Sequence, residues 1–537
     1  MQYPQQFSKS SEKNLILILK QLQEEGKKIT TLHEFDRAIK LIVKRKNLAL
    51  PALWHFRFIL GRHKDLFTST FIANLKSILV KTQVRSWSGI VPVSIFTAGV
   101  GCPFHCIYCA NEPDMPKSYF SDEPSVMRAV RFKFDPYKQV LGRLQMFYLS
   151  GHPLDKIDLI IQGGTFSFYD RKYREWFLKR CYDAANTSIE TLVNEGRRVA
   201  DTSRTLQQAQ FKNETAQQRI IGVTIETRPD YITENELQFL RKLGVTRVEI
   251  GVQAPDDKIL ETINRGHGVE EIVKATRLLR SFGFKITYHL MPGLPGSSLK
   301  KDITMLKEIF TNPKFKPDNI KFYPTSVVKY SPLEQWFKDG KYKPYDNDTL
   351  TKLVLEFKKN IVPRWLRIQR LVRDLTVNDI VYDTFPSNFR QNIESELRKK
   401  RIRCMCIRCR EIKNDLKLPD LSLKILNYKV NGGTENFLEY VDKNDRLYGL
   451  LRLYVSDEKK ATIRELHVYG GALAIGKYST KQAQHQGLGT KLIQEAENIV
   501  RKEEIPQLSI IAGVGTREYY RKFGYTLKQT YMTKTLP

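Results

Sequence analysis

At 537 residues the chain is long enough for two to four domains with cores of their own, and its longest wholly aliphatic run, from Leu15 to Leu19, excludes a membrane-spanning helix. A formal net charge of +30 narrows the partners to polyanions, nucleic acid first, with a solvated lysine-rich surface as the bland alternative. Seven cysteines, six of them in two tight clusters, exclude a disulfide framework and point to metal binding in a reducing compartment; the polar start, Met1 to Ser10, lacks a secretory leader's pattern, and the expected location is cytoplasmic.

Residues 1–75 carry apolar positions at helical spacing, from Leu15 to Leu22 and from Phe35 to Val43, interleaved with lysines. They predict a basic helical segment, since residues 1–90 hold 16 Lys and Arg against 6 Asp and Glu. Over 76–385, short apolar strands at 93–100, 158–164, 220–227, 247–253, 285–293 and 319–327 alternate with helical stretches, which means a parallel sheet. Six such units are too few for a closed eight-stranded barrel and predict a partial (β/α)6 barrel with its chemistry at the strand C-termini.

The loop after the first strand places Cys102, Cys106 and Cys109 at C-x3-C-x2-C spacing. Three thiolates hold three corners of a [4Fe-4S] cluster and leave the fourth iron open to a small molecule, because the next cysteine in the chain is Cys181, read as a packed thiol. A zinc knuckle short of one ligand and three core thiols are the alternatives. Gly163 and Gly164 end the second strand, where a missing Cβ lets backbone approach a ligand. Glu226 and Arg228 end the third and Gln253 the fourth, which brings them to one barrel mouth. The stretch 201–219 is polar, without apolar periodicity, and reads as a surface insertion.

A basic linker over 386–425 contains the block Arg398-Lys399-Lys400-Arg401-Ile402-Arg403 and then Cys404, Cys406 and Cys409 at C-x-C-x2-C spacing. Thiolates this close favour zinc with an unidentified fourth ligand, and a second iron-sulfur cluster competes. Over 426–537, antiparallel strands at 435–441, 447–455 and 461–469, with a turn at Lys443-Asn444-Asp445, precede a helix at 489–502 and a buried strand at 508–513. The helix opens on Gln484-His485-Gln486-Gly487-Leu488-Gly489-Thr490, and successive backbone N–H groups at a helix start bind a diphosphate. The strand before it contains Glu465, Leu466, His467, Val468 and Tyr469.

The cysteine spacing resembles the signature of radical S-adenosylmethionine (SAM) enzymes, in which the open iron takes SAM, the residue before the last cysteine (Tyr108 here) packs the adenine, and a glycine pair like Gly163-Gly164 meets the SAM amino group. From their place at the barrel mouth Arg228 and Gln253 are expected to touch the ligand and Glu226 to move a proton, with a structural ion pair as the alternative for each. The Q-x-x-G-x-G loop resembles that of GNAT acetyltransferases, which holds the coenzyme A pyrophosphate, and Gly513 to Tyr525 resembles the region where those enzymes place a tyrosine near the thioester sulfur, here Tyr519 or Tyr520. The two sets of motifs in one chain, among them GGTF, ETRPD, RVEIGVQ, INRGH, MPGLPG, KFYPTSV, RELHVYG, QHQGLG and GVGTREYYRKFGY, resemble the catalytic subunit of Elongator, which modifies the wobble uridine of transfer RNA.

That resemblance covers 93–537 and implies an α/β multidomain chain: a radical SAM barrel, then a GNAT domain, with the basic helical segment as a tRNA-binding element. It implies acetyl-CoA as cosubstrate and a SAM-derived 5'-deoxyadenosyl radical, which together form carboxymethyluridine at C5 of uridine 34, supplied with electrons by a separate donor. Lys321 and Tyr323 match the family's KxYPT strand and are catalytic candidates with Tyr519, Tyr520 and Glu226. The first cysteine gap is shorter than in eukaryotic subunits, and Ala110-Asn111-Glu112-Pro113-Asp114 replaces their glycine-rich stretch, departures that bear on the local SAM and substrate contacts. The linker cysteines, absent from some eukaryotic relatives, make the resemblance one to a prokaryotic type acting without Elongator's other subunits. The alternative is a protein lysine acetyltransferase with a structural cluster, and the chain's own positive charge disfavours a basic substrate.

Overall fold

The structure, a computed structural model, describes residues 9–26, 29–80, 89–99, 102–196, 203–373, 377–382, 386, 388–412, 419–470 and 487–537. The loop positions Gln484, His485 and Gln486 lie outside these residues.

Four N-terminal helices run over α1 (Lys9–Glu24), α2 (Leu32–Arg45), α3 (Leu53–Arg62) and α4 (Ser69–Ile78). Thr31 starts α2 with a capping box, its hydroxyl accepting from the Glu34 N–H while the Glu34 carboxylate accepts from the Thr31 N–H. The apolar positions predicted at helical spacing, Leu15, Ile18, Leu19 and Leu22 and then Phe35, Ile39, Ile42 and Val43, are buried, and Lys20 and Lys40 between them are exposed. These helices do not form a free segment, because Phe35, Phe56 and Ile59 join the same continuous core as the barrel strands.

Seven parallel strands make the first sheet, in chain order: β1 (Val91–Phe96), β2 (Lys156–Gln162), β3 (Arg219–Thr227), β4 (Arg247–Gln253), β5 (Lys285–Leu290), β6 (Asn319–Phe322) and β7 (Arg367–Arg370). The first six are the predicted units of the partial barrel. The seventh, Arg-Ile-Gln-Arg, extends the sheet by pairing with β6. It has one apolar residue, and strand periodicity needs more than that to show.

The stretch read as a surface insertion is more ordered than expected. Helix Leu206–Asn213 buries Leu206, Ala209, Gln210 and Asn213 against helix Arg171–Ala185, and the Asn213 side chain bridges the start of β3 by accepting from the Ile220 N–H at 2.8 Å. Glu214 then reaches Arg517 of the C-terminal half at 2.9 Å. The polar residues that hid this helix are used internally.

The second sheet contains β8 (Ser422–Val430), β9 (Gly433–Val441), β10 (Leu447–Ser456), β11 (Ala461–Val468), β12 (Gln507–Ile510), β13 (Thr526–Lys528) and β14 (Tyr531–Thr535), in the order β8-β9-β10-β11-β12-β14-β13. Strand β8 starts inside the stretch read as linker, and its alternation of exposed polar and half-buried residues is that of an edge strand. Helix Leu488–Lys502 connects β11 to β12, which run parallel but pair only over Ala461–Ile463 with Leu508–Ile510. Beyond Ile463 the pairing with β12 ends.

The two halves share a buried charged joint. Arg280 and Asp318 from the barrel meet Glu435, Arg452 and Arg464 from the second sheet: Arg464 donates to Glu435 at 2.8 Å and also to Asp318, Arg280 pairs with Glu435 at 3.0 Å, and Arg452 lies 3.5 Å from Asp318. All five are buried. Gly513 and Gly515 press the second half onto β3, since a Cβ on Gly513 would run into the Ile221 carbonyl and one on Gly515 would stand 2.5 Å from the Arg219 side chain.

Candidate active site and a second cysteine centre

One large cavity, about 1220 Å³, opens at the C-terminal ends of the barrel strands and extends to the second sheet. Cys102, Cys106 and Cys109 line one end, with Phe104 and Tyr108; His467, Tyr469, Thr516 and Tyr520 line the other.

The cysteine loop is tied down by segments far away in sequence. The Ile107 N–H donates to the Ile263 carbonyl at 3.1 Å, the Ile107 carbonyl accepts from Leu333 at 2.8 Å, and the Asn264 amide donates to the His105 carbonyl at 3.1 Å. Cys106 is buried, and Cys102 and Cys109 are half-buried. Burial, then the neighbouring Cys106, pushes the Cys109 thiol up to about 12, so the free protein keeps its proton until a metal displaces it. The three sulfurs are not among the triads whose ligand atoms all lie within 4.8 Å of one another. Corner thiolates of a cubane sit on different irons and stand further apart than ligands of one ion, and the residues present fit such a cluster.

Gly163 and Gly164 adopt φ of +127° and +91°, and Gly164 lines the cavity opposite Lys117. Gln253 has φ +64° and a buried side-chain oxygen without a partner, within the same cavity. That orphaned acceptor fits a ligand's amino or hydroxyl group. Arg228 is anchored: it forks onto Asp230 at 2.9 and 3.0 Å and covers the Phe104 ring at 3.3 Å.

Deeper in the barrel mouth, Glu226, Glu249, His289 and Lys321 form one buried group. Lys321 pairs with Glu249 and lies 3.4 Å from Glu226; His289 bonds Glu249 at 2.9 Å, and Tyr119 donates to Glu226 at 2.7 Å. Burial would lower Lys321, but Glu249, Tyr323 and Glu226 hold it raised. Burial would raise Glu249, but Lys321 and His289 hold it low. Lys321 is therefore a fixed cation with no lone pair to take a proton. Tyr323, beside His289 at 5.7 Å between ring centroids, is raised by burial against the pull of Lys321 and stays a neutral phenol. Sequence reasoning found Glu226, Lys321 and Tyr323 and missed Glu249 and His289, although Glu249 stands in the RVEIGVQ motif.

At the other end, burial lowers His467 to about 3, which leaves a neutral imidazole. Glu465 pairs with Lys285 of the barrel and at 2.8 Å with Arg452; burial would raise it, and those two cations hold it low. Glu465, Leu466 and His467 face the cavity, whereas Val468 does not line it and instead approaches Gly489. Gly487 starts helix Leu488–Lys502 in the left-handed region at φ +78°, followed by buried Leu488 and Gly489 and half-buried Thr490. The two candidate tyrosines separate. Tyr520 is buried and lines the cavity, while the Tyr519 hydroxyl covers the helix start, 2.5 Å from where a Cβ on Gly489 would be.

Cys404, Cys406 and Cys409 lie elsewhere, beside the barrel core, with all three sulfurs within 4.8 Å of one another. Ligands about 2.3 Å from one tetrahedral ion stand roughly 3.8 Å apart, and the triad fits such an ion better than a cubane. Lys358 donates to the Cys409 sulfur at 3.7 Å. Among the described residues no fourth His, Cys, Asp or Glu joins this group.

Family models match residues 97–309 as the radical SAM superfamily and residues 317–399 as its C-terminal domain. A tRNA uridine(34) acetyltransferase of Dehalococcoides mccartyi is 42% identical, matching 85% of this chain and all of that relative. Human Elongator complex protein 3 is 35% identical over 84% of this chain and 85% of its own. A solved structure of archaeal Methanocaldococcus infernus Elp3 lacking N-terminal residues aligns with TM-score 0.72 and 39% identity, covering 84% of this chain and 100% of that one. With the cysteine loop at the mouth of a partial parallel barrel and a second α/β sheet closing the same cavity, the chain is a radical SAM enzyme and belongs to the family of the tRNA uridine(34) acetyltransferases and Elongator complex protein 3.

Proposed function

We propose that this enzyme forms carboxymethyluridine at C5 of uridine 34 in tRNA, drawing the two added carbons from acetyl-CoA. The observation that carries the reading is the continuous cavity, with the cluster cysteines at one end and Tyr520 with His467 at the other. Carbon-carbon bond formation at an unactivated uracil C5 exceeds acid-base chemistry, and a [4Fe-4S] cluster held by Cys102, Cys106 and Cys109, with SAM, would supply a carbon radical.

Within this reading Tyr108, Gly163, Gly164 and Gln253 bound the SAM site, with Arg228 fixed beside it by Asp230. Coenzyme A takes the loop Gln484-His485-Gln486-Gly487-Leu488-Gly489-Thr490, its diphosphate on the N–H groups opening helix Leu488–Lys502. The edge of β11 from Glu465 to His467, beyond its pairing with β12, offers hydrogen bonds to its amide-bearing arm, and Tyr519 and Tyr520 flank the thioester. Lys321, a cation fixed between Glu226 and Glu249, stabilises negative charge on a uracil oxygen without exchanging a proton; Tyr119 and Glu226 are the pair able to pass one.

The anticodon loop is single-stranded, so its base can splay into the cavity. Its phosphates are expected on the exposed Lys13, Lys20, Arg37, Lys40 and Lys44 of α1 and α2 and on the block from Arg398 to Arg403. Zinc is expected at Cys404, Cys406 and Cys409, whose sulfurs lie close enough together, within 4.8 Å, to share one ion. Seven free thiols suit the reducing cytoplasm, with an external electron donor and no other Elongator subunit.

The test is nucleoside analysis of tRNA after anaerobic incubation with enzyme, SAM, a reductant and acetyl-CoA labelled in the acetyl group. Label in carboxymethyluridine at position 34 is expected. Label only in protein lysines would replace this reading with protein acetylation.

A further inference from the structure

Arg265 is buried and has no ion pair of its own among the described residues; the Asp230 carboxylate, already forked by Arg228, acts on it only from a longer distance. Its guanidinium makes two contacts: one nitrogen donates to the Cys106 sulfur at 3.5 Å and the other to the Gly251 carbonyl at 2.6 Å, while its Nε has no partner. Arg228 also points at Cys106, at 4.0 Å, but its charge is already matched by Asp230. Two buried guanidinium groups thus face Cys106 with one carboxylate between them, and a buried cation left short of negative charge is costly unless something else supplies it.

A four-iron cluster on three thiolates supplies it. The core's two positive charges fall one short of the three thiolates, and reduction by one electron deepens the deficit to two. We propose that Arg265 is a positioning residue that sets the cluster's reduction potential: its guanidinium, held by Gly251, donates to the Cys106 thiolate and stabilises the reduced form more than the oxidised one, which makes the cluster easier for a donor to reduce. Hydrogen bonds to cluster sulfurs are one of the levers by which proteins tune such potentials. The inference rests on the cluster assignment of the proposed function and is independent of the tRNA chemistry.

Gly251 provides a second handle. It is a strand residue whose Cβ would stand 2.5 Å from the Arg265 Nη2. Gly251→Ala therefore displaces the same guanidinium without removing it. The Arg265–Cys106 contact spans 159 residues of sequence.

The experiment is a redox titration of the reconstituted full chain, followed by electron paramagnetic resonance with and without SAM, on the native protein and the Arg265→Gln, Arg265→Lys and Gly251→Ala variants. Arg265→Gln is expected to disfavour reduction about tenfold, a midpoint lower by 59 mV for one electron. Gly251→Ala should shift it the same way, and Arg265→Lys, which keeps the charge but not the fork, by less. An unchanged or raised midpoint in Arg265→Gln or Gly251→Ala at full iron loading overturns the proposal. Failure of all three variants to hold iron overturns it too, because the arginine would then be needed for assembly and not for tuning. Native potentials in Arg265→Gln alongside normal tRNA modification would leave the proposed function standing without this inference, and shifted potentials without tRNA modification would do the reverse.

Discussion

The two cysteine triads use the same residue in the same number and are built for opposite ends. Cys102, Cys106 and Cys109 sit on a loop at the mouth of the barrel, open to the cavity and spread too widely for a single ion. Cys404, Cys406 and Cys409 draw within 4.8 Å, and two of them are packed into the core beside the last barrel strands. Opening onto a cavity leaves room for a substrate at the metal, whereas thiolates drawn together for a single ion, two of them in the core, add their binding energy to the fold. On the proposed assignment the first triad serves the chemistry and the second the architecture, at the point where the chain passes from one sheet to the other.

The largest effects should come from removing each triad in turn. Replacing Cys102, Cys106 and Cys109 with alanine should abolish the brown chromophore and SAM cleavage with little change in melting temperature. Replacing Cys404, Cys406 and Cys409 should strip zinc and lower the melting temperature while iron can still be reconstituted. Metal analysis with calorimetry checks both, and zinc lost with the first set, or iron with the second, would reverse the assignment.

Charge at the barrel mouth tests whether that division is clean. Lys321→Met leaves Glu226 and Glu249 buried without their cation and should destabilise the protein by about 3–5 kcal/mol, as breaking a buried pair does; chemical denaturation measures it. The native pair also predicts a pH dependence. Glu249 is held below the ordinary carboxylate range, so its contribution is present above the unfolded value of about 4.3 and is lost as pH falls below that. Acid denaturation of Lys321→Met should lack this component; a stability equal to the native protein's would mean that the cation serves chemistry alone.

Beside the second triad, Lys358→Met removes the ammonium that donates to Cys409. Loss of such an outer partner typically weakens metal affinity about 10- to 100-fold, and competition with a zinc chelator reads it directly. The iron content of the first site should not move. At the joint between the halves, Gly513→Ala drives a methyl into the Ile221 carbonyl and should cost about 1–3 kcal/mol. Because Tyr520 follows on the same segment, tRNA-stimulated acetyl-CoA hydrolysis should fall while the cluster spectrum stays. Unchanged hydrolysis would show that the Tyr520 end of the cavity tolerates displacement.

Much of this molecule is legible from residues close together in the chain. Cysteine spacing, six of the barrel strands, the capped helix α2 and the glycine-opened helix Leu488–Lys502 are written in local periodicity, sterics and ligand geometry, which neighbours in sequence settle among themselves. Strand β7 and the helix Leu206–Asn213 were not legible because they carry too few apolar residues at a regular period, and the start of β8 was hidden in the stretch read as linker. Nothing near Lys321 announces that Glu226 and Glu249 will fix its charge, 95 residues away in the first case. Nor does the sequence around Arg265 point to Cys106, or that around Gly513 to β3. The sequence by itself determined the kinds of chemistry and the elements that hold them. Which charges face each other, which tyrosine enters the cavity and which glycine makes the joint were decided only by the tertiary fold, since ion pairs and close contacts depend on distance in space between residues that the chain alone leaves far apart.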